Sequence, residues 1–253
     1  MGVQRQRRVS KTALIYIPVG TVLVVVLTIL GISSFMRILD IEVVGATRYL
    51  AEDIVAASGI NSGDNLMFLD TDSAERRIIS SLPFVSSATI VRYFPDRLKI
   101  EITESTPIAY LSSGAVLLVI DADARIVEIV TVRPAGLIEI RGITPVDPVE
   151  GGLLRSDSTG DAQVVYLRNV LVAMERENLL ADVQFLDMSS ILHINFGYLN
   201  RFTINLGGPS NLRQKLFNVP YAVERANLQY DETVEGDIDL SNIAERGFFR
   251  ARH

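Results

Sequence analysis

The chain is 253 residues long, carries 30 acidic against 24 basic side chains for a formal charge of −6, and holds neither cysteine nor tryptophan. The missing thiols exclude disulfides, thiolate catalysis, CxxC redox chemistry and cysteine-based zinc sites, so any exported domain must be held by its core alone. Four basic residues and no acidic one lie at positions 1–11. The part from Thr12 onward therefore has 20 basic against 30 acidic residues, a net −10 that argues against nucleic acid and against an anionic lipid surface.

Thr12 to Met36 (TALIYIPVGTVLVVVLTILGISSFM) has no charged residue between Lys11 and Arg37. At ~1.5 Å of rise per residue it can cross a hydrocarbon core of ~30 Å. A cleaved signal peptide is the alternative, but its apolar core runs only about 7–15 residues before a small-residue site. Met36-Arg37-Ile38-Leu39 offers no such site. The stretch is predicted to be an uncleaved anchor over 12–36. Arg5, Arg7, Arg8 and Lys11 form the topology signal: basic residues stay on the cytoplasmic side, so the tail 1–11 is expected inside and everything after Met36 outside.

Ile38–Val44 alternates as a half-buried strand and Gly45-Ala46-Thr47 breaks it. A helix fits Leu50–Ala57, with Leu50, Ile54 and Ala57 on one face and Ser58-Gly59 as its stop. Thr71 or Asp72 is predicted to cap a second helix whose apolar face is Ala74, Ile78 and Leu82, ended by Pro83. Val85–Phe94 and Leu98–Ile102 read as two strands joined by a tight Phe94-Pro95-Asp96-Arg97 turn, with Ile100 expected in the core.

The order strand–helix–helix–strand–strand behind an anchor resembles a POTRA domain. Three motifs in sequence resemble the bacterial division family FtsQ/DivIB: Ile41-Glu42-Val43-Val44-Gly45, the aromatic-Pro-Asp turn Phe94-Pro95-Asp96, and Glu104-Ser105-Thr106-Pro107-Ile108-Ala109. Glu104 reads as a solvated or backbone-bonded residue that fixes the join between two domains, not as a catalytic acid.

From Ile108 the pattern changes to short strands at Ile108–Leu111, Val116–Ile120, Ile126–Val130 and Leu137–Ile140. Asp121-Ala122-Asp123-Ala124 reads as a hairpin turn, because no distal Glu follows at calcium-loop spacing. Gly142–Asp157 is loop-like. Asp161–Leu179 is an amphipathic helix with Val164, Leu167, Leu171 and Met174 on its apolar face. Strands are predicted at Val183–Leu186, Leu192–Phe196 and Phe202–Leu206. A helical pattern through Leu212, Leu216, Val219 and Val223 follows, kinked or split at Pro220. The chain closes on a strand within Val234–Ser241. Gly236-Asp237-Ile238-Asp239-Leu240 resembles the closing strand of the FtsQ/DivIB β domain, departing at Ser241, where that family usually has a basic residue.

The expected fold class is α+β: one N-terminal transmembrane helix, a βααββ POTRA domain over 37–105, and a mixed β-sheet domain with two helices over 106–241, followed by a tail 242–253. Enzymatic features are few. His193 is predicted inside a strand, His253 is terminal, and no Gly-x-Ser-x-Gly turn or phosphate-cradling glycine loop occurs. No catalytic, cofactor or metal site is expected.

The resemblance implies a non-enzymatic divisome scaffold in the bacterial cell membrane at the division septum. It would bind small bitopic coiled-coil partners of the FtsB/DivIC and FtsL types and couple them to septal peptidoglycan synthesis. A membrane-anchored envelope hydrolase or protease, and a POTRA-type envelope chaperone, are the alternatives. The closing strand comes last and is expected to be an exposed edge to which an extended partner segment could add. The candidate contact residues are Asp237, Ile238, Asp239, Leu240, Ser241 and Asn242, with Phe248 and Phe249 in the tail beyond, where a solvated end would not need two adjacent aromatics.

Overall fold

The computed structural model describes residues 18–27, 31, 35–157, 161–231, 234–242 and 248–251. Arg5, Arg7, Arg8, Lys11 and much of the candidate anchor lie outside the described residues. Residues 18–27 are helical and exposed; among the described residues no helix is long and apolar enough to cross a membrane. Two compact units divide the chain, one of residues 1–78 and 87–103, the other of 79–86 and 104–253.

The first unit is built from β1 (Asp40–Val44), α1 (Ala51–Ser58), most of α2 (Thr71–Ser81), most of β2 (Val85–Tyr93) and β3 (Arg97–Glu104), with sheet order β1-β3-β2. β1 runs parallel to β3, Val43 opposite Ile100. Ile54 of α1, Ala74 and Ile78 of α2 and Leu98, Ile100 and Ile102 of β3 are all buried, so the expected register of β3 holds. Gly45 ends β1 because nothing larger fits: its φ is +86° and a Cβ there would stand 2.1 Å from the Ile102 carbonyl oxygen.

Gly59, at φ 67°, caps α1 as expected, donating its N–H to the Ala56 carbonyl. Two local expectations fail. Leu50 is the extended residue before α1 and is exposed, because the helix starts one residue later and turns it off the buried face. The start of α2 is held by Asp70 in place of Thr71 or Asp72: its carboxylate accepts from the Ser73 N–H (3.1 Å) and hydroxyl (2.6 Å), bonds that hold Asp70 below the usual carboxylate pKa. The β2–β3 turn contains a cis Phe94–Pro95 peptide.

The second unit is a nine-stranded sheet. Its strands are β4 (Ala109–Ser113), β5 (Val116–Ile120), β6 (Ile126–Val130), β7 (Ile138–Arg141), β8 (Val183–Asp187), β9 (Ile194–Tyr198), β10 (Phe202–Gly207), β11 (Gly236–Asp239) and β12 (Phe248–Ala251). They lie in the order β12-β11-β10-β9-β8-β7-β4-β5-β6. Its helices are α3 (Asp161–Arg176), α4 (Leu212–Phe217) and α5 (Val219–Gln229). One continuous core joins Leu111, Ile140, Leu186, Phe196, Ile204 and Ile238 of the sheet to Leu167, Leu171 and Met174 of α3 and to Leu216, Val219 and Val223 of α4 and α5.

The split between α4 and α5 falls at Asn218, and Pro220 stands in the first turn of α5, where its missing N–H has no helical partner to lose. The Asp121 turn joins β5 to β6 as expected. The Asp121 carboxylate is buried and accepts from the N–H groups of Asp123 (3.0 Å) and Arg125 (2.9 Å) and from the Ser105 hydroxyl (2.8 Å). The strand expected at Leu192–Phe196 starts at Ile194 instead. Ser190 accepts from the His193 N–H (3.2 Å) in a turn, which leaves His193 exposed ahead of β9.

Candidate functional site

The closing segment is not the sheet edge expected of it. β11 lies between two strands, parallel to β10 with Phe202 opposite Gly236, and antiparallel to β12 with Asp237 opposite Arg250 and Asp239 opposite Phe248. The backbone order explains why β12 can form. The Gly236 and Leu240 N–H groups donate toward β10, to the carbonyls of Arg201 (3.3 Å) and Asn205 (2.8 Å). Alternate residues Asp237 and Asp239 therefore turn their main-chain groups toward β12, where Arg250 and Phe248 face them. By the same alternation the main-chain groups of Phe249 and Ala251 point outward. Among the described residues β12 is the outermost strand on this side.

Side chains hold β12 in place. The Phe249 ring meets Phe202 edge-on at 5.9 Å and Tyr230 at 4.7 Å. It also lies over Gly236, where a Cβ would come within 2.4 Å of the ring and 2.6 Å of the Arg250 carbonyl oxygen. Ile238 and Leu240 point into the core, while Asp239, Ser241 and Asn242 are exposed and Asp237 is half-buried. Asp239 accepts from the Ser241 N–H at 2.8 Å and closes the strand in a local turn.

Arg201 positions the approach to β11, and nothing in the sequence singles it out. Leu199 and Asn200 lie in the β9–β10 turn with both φ values positive, 56° and 54°, and the Arg201 N–H closes it on the Tyr198 carbonyl (3.1 Å). The next residue, Arg201, donates to the Val234 carbonyl (2.7 Å), the Asn227 amide oxygen (2.6 Å) and the Asp231 carbonyl (2.7 Å). It thereby ties the end of α5 and the segment before β11 to the β10 hairpin. Lys215 of α4 does the same at the other end of β10. Its buried ammonium donates to the carbonyls of Leu206 (2.7 Å) and Gly208 (3.0 Å), and burial pushes its pKa down against a smaller opposing pull from Asp239.

The opposite edge of the sheet is closed. The loop segment 150–154 pairs with Ile126 at the start of β6 and with Ala124 just before it: Gly151 N–H donates to Ile126 O (2.7 Å), Ile126 N–H to Gly152 O (2.8 Å) and Leu154 N–H to Ala124 O (2.8 Å). The Glu150 carboxylate accepts from the Ile129 N–H at 2.9 Å. Among the described residues no group of three or more His, Cys, Asp or Glu stands close enough to hold a metal ion. Glu104 ends β3, half-buried.

Comparison with known proteins adds the family. Residues 36–105 match the family described as POTRA domain, FtsQ-type. The chain is 30% identical over 174 residues to a protein named cell division protein FtsQ from Corynebacterium glutamicum, covering 66% of this chain and 77% of the relative. The chain belongs to the FtsQ/DivIB family of cell-division proteins. A second member of the family, cell division protein DivIB of Clostridium acetobutylicum, is 22% identical over 183 residues, 72% of this chain and 71% of the relative. Cell division protein FtsQ of Streptomyces griseus is 27% identical over 113 residues, 45% and 54% of the two chains. The family's POTRA match falls on the stretch that carries β1, α1, α2, β2 and β3.

Proposed function

We propose that this chain is a non-enzymatic scaffold of the division machinery, held in the cell membrane at the septum by residues 12–36. Its tail 1–11 is cytoplasmic and its POTRA domain (37–105) and β domain (106–241) stand outside, with 242–253 contributing the outer strand of the sheet. Its partners are small single-pass coiled-coil proteins of the FtsB/DivIC and FtsL types, through which it couples septum assembly to septal peptidoglycan synthesis. The observation that carries this reading is that, among the described residues, the edge at β12 is uncovered, in a sheet whose other edge is met by the loop 150–154.

An extended partner segment adds as a further strand beside β12, its backbone meeting the outward groups of Phe249 and Ala251. Asp239, Ser241, Asn242 and Phe248 at the end of the β11–β12 pair are the first contacts along its path. Ile238 and Leu240 support the strand from beneath.

Capture of the partners' exported segments by the full chain, compared with a chain lacking Asn242–His253 and with Ala251→Pro, tests this. Binding is lost in the first and weakened in the second. Full binding by both places the interface elsewhere, on the helices α4 and α5 or on the POTRA domain. Orientation is checked separately: a reporter fused at Gly2 is active only in the cytoplasm and one fused after His253 only outside.

A further inference from the structure

Six large apolar side chains of the first unit are exposed although each belongs to a segment knit into the same end of that unit. They are Phe35, Leu39, Met67, Phe68, Tyr93 and Phe94; Phe35, Leu39 and Phe68 are each more than 70% exposed. Backbone hydrogen bonds show how closely their segments lie. Leu66 N–H donates to Met36 O (2.8 Å), Ile38 N–H to Asp64 O (2.9 Å), and Gly63 N–H to Ile38 O (2.8 Å). Leu39 N–H donates to Asp96 O (2.9 Å), and the Arg92 guanidinium reaches the Leu69 carbonyl. Three stretches, 35–39, 66–69 and 92–96, thus meet at one rim, and each presents apolar side chains outward. Scattered exposed hydrophobes are ordinary; a set gathered from three segments is not.

The chain itself names the occupant. The uncharged stretch Thr12–Met36 ends at the residue whose carbonyl Leu66 bonds, so the rim begins where the anchor stops. A side chain at Leu39 is three residues from the last apolar position of the span and cannot be far from the headgroup layer. We propose that this rim of the POTRA domain lies in the interfacial layer of the membrane that holds the anchor, with Phe68, Tyr93 and Phe94 seated among the headgroups and upper acyl chains. The inference rests on the anchor reading of residues 12–36. Tyr93 suits the interface, with an apolar ring and a polar end. The attachment is apolar and not electrostatic. Asp40, Asp64 and Asp96 lie in or beside these three stretches, as do Arg37, Arg92 and Arg97, and the exported part is net acidic, so nothing here gathers anionic lipid. The domain is thereby held against the bilayer at two points, its entering chain and its rim.

The absence of cysteine makes the test direct. Full chain carrying Val24→Cys, Phe68→Cys, Phe94→Cys or Leu228→Cys, one at a time, is labelled with an environment-sensitive fluorophore and reconstituted into phosphatidylcholine vesicles with or without spin-labelled phosphatidylcholine. All four sites are exposed, so the labels leave the core alone. The expected result is severalfold quenching at Val24, Phe68 and Phe94, none at Leu228, and no loss of quenching at Phe68 and Phe94 when salt is raised. Quenching at Val24 with Phe68 and Phe94 as dark to the lipid as Leu228 overturns the rim proposal and leaves the anchor standing. No quenching at Val24 overturns the anchor reading, and the proposal with it. Blue-shifted but unquenched labels at Phe68 and Phe94 mean that protein covers the rim, which also overturns it. Quenching that salt abolishes overturns the apolar mode of attachment.

Discussion

The two edges of the nine-stranded sheet meet the same physical problem differently. A terminal strand exposes a row of N–H and C=O groups that would pair with any extended chain. At β6 the molecule spends a loop on the problem: Gly151 and Gly152 pair with Ile126, Leu154 pairs with Ala124 just before the strand, and Glu150 accepts the Ile129 amide. At β12 the described residues place no such cover, yet the strand is held firmly from within by Phe249, Gly236 and the Arg201 network. An edge that is ordered but uncovered is what strand addition needs, since the incoming chain then bears the ordering cost alone.

Five substitutions test that contrast. The largest effect is expected from Gly236→Val, whose side chain must enter the Phe249 ring; overpacking of this kind costs about 1–3 kcal/mol, and loss of β12 should abolish partner capture. Thermal melting and pull-down together check it, and unaltered binding would detach β12 from the interface. Next comes a crossed pair. Ala251→Pro removes an outward N–H and should weaken partner binding about tenfold with little change in melting. Ile129→Pro removes the amide that Glu150 accepts and should cost roughly 1 kcal/mol of stability with binding untouched. If both variants behave alike, the edges are not functionally distinct.

Arg201→Met should cost ~1–2 kcal/mol, because three oxygens lose a charged donor in a partly solvated setting, and should loosen β11 in hydrogen exchange before it affects β6. The smallest effect is expected from Glu150→Ala, about 0.5–1 kcal/mol, read as faster exchange of the Ile129 amide alone.

Much of this architecture is legible in the residues, and the failures have physical causes. Alternation and turn chemistry mark β1 to β7, and Asp121 announces its turn because a carboxylate beside small residues readily accepts its own backbone. β12 is harder to read. Phe248-Phe249-Arg250-Ala251 is too short to show alternation, and its reason for being ordered is the glycine at position 236, twelve residues earlier. The two adjacent aromatics were its one visible signal. β9 misleads because Leu192-His193-Ile194-Asn195-Phe196 alternates well, although the Ser190 turn claims its first two residues. Arg201 and Glu150 leave no trace in sequence since all their partners but the Asn227 amide are backbone groups, which every residue has.

Lys215 has a use beyond its place at the end of β10. The lysines of this chain are Lys11, Lys99 and Lys215. Lys99 is paired with Glu101 on the surface at 2.8 Å, whereas the Lys215 amine is enclosed and bound to two carbonyls. An amine-reactive reagent therefore reaches Lys215 only when α4 lifts from β10, while Lys99 gives the rate of a surface amine in the same tube as an internal reference. The ratio of the two rates counts local openings of the sheet under native conditions. A partner that stiffens the sheet from β12 will slow that clock, so occupancy of one edge can be timed from a single amine two strands away.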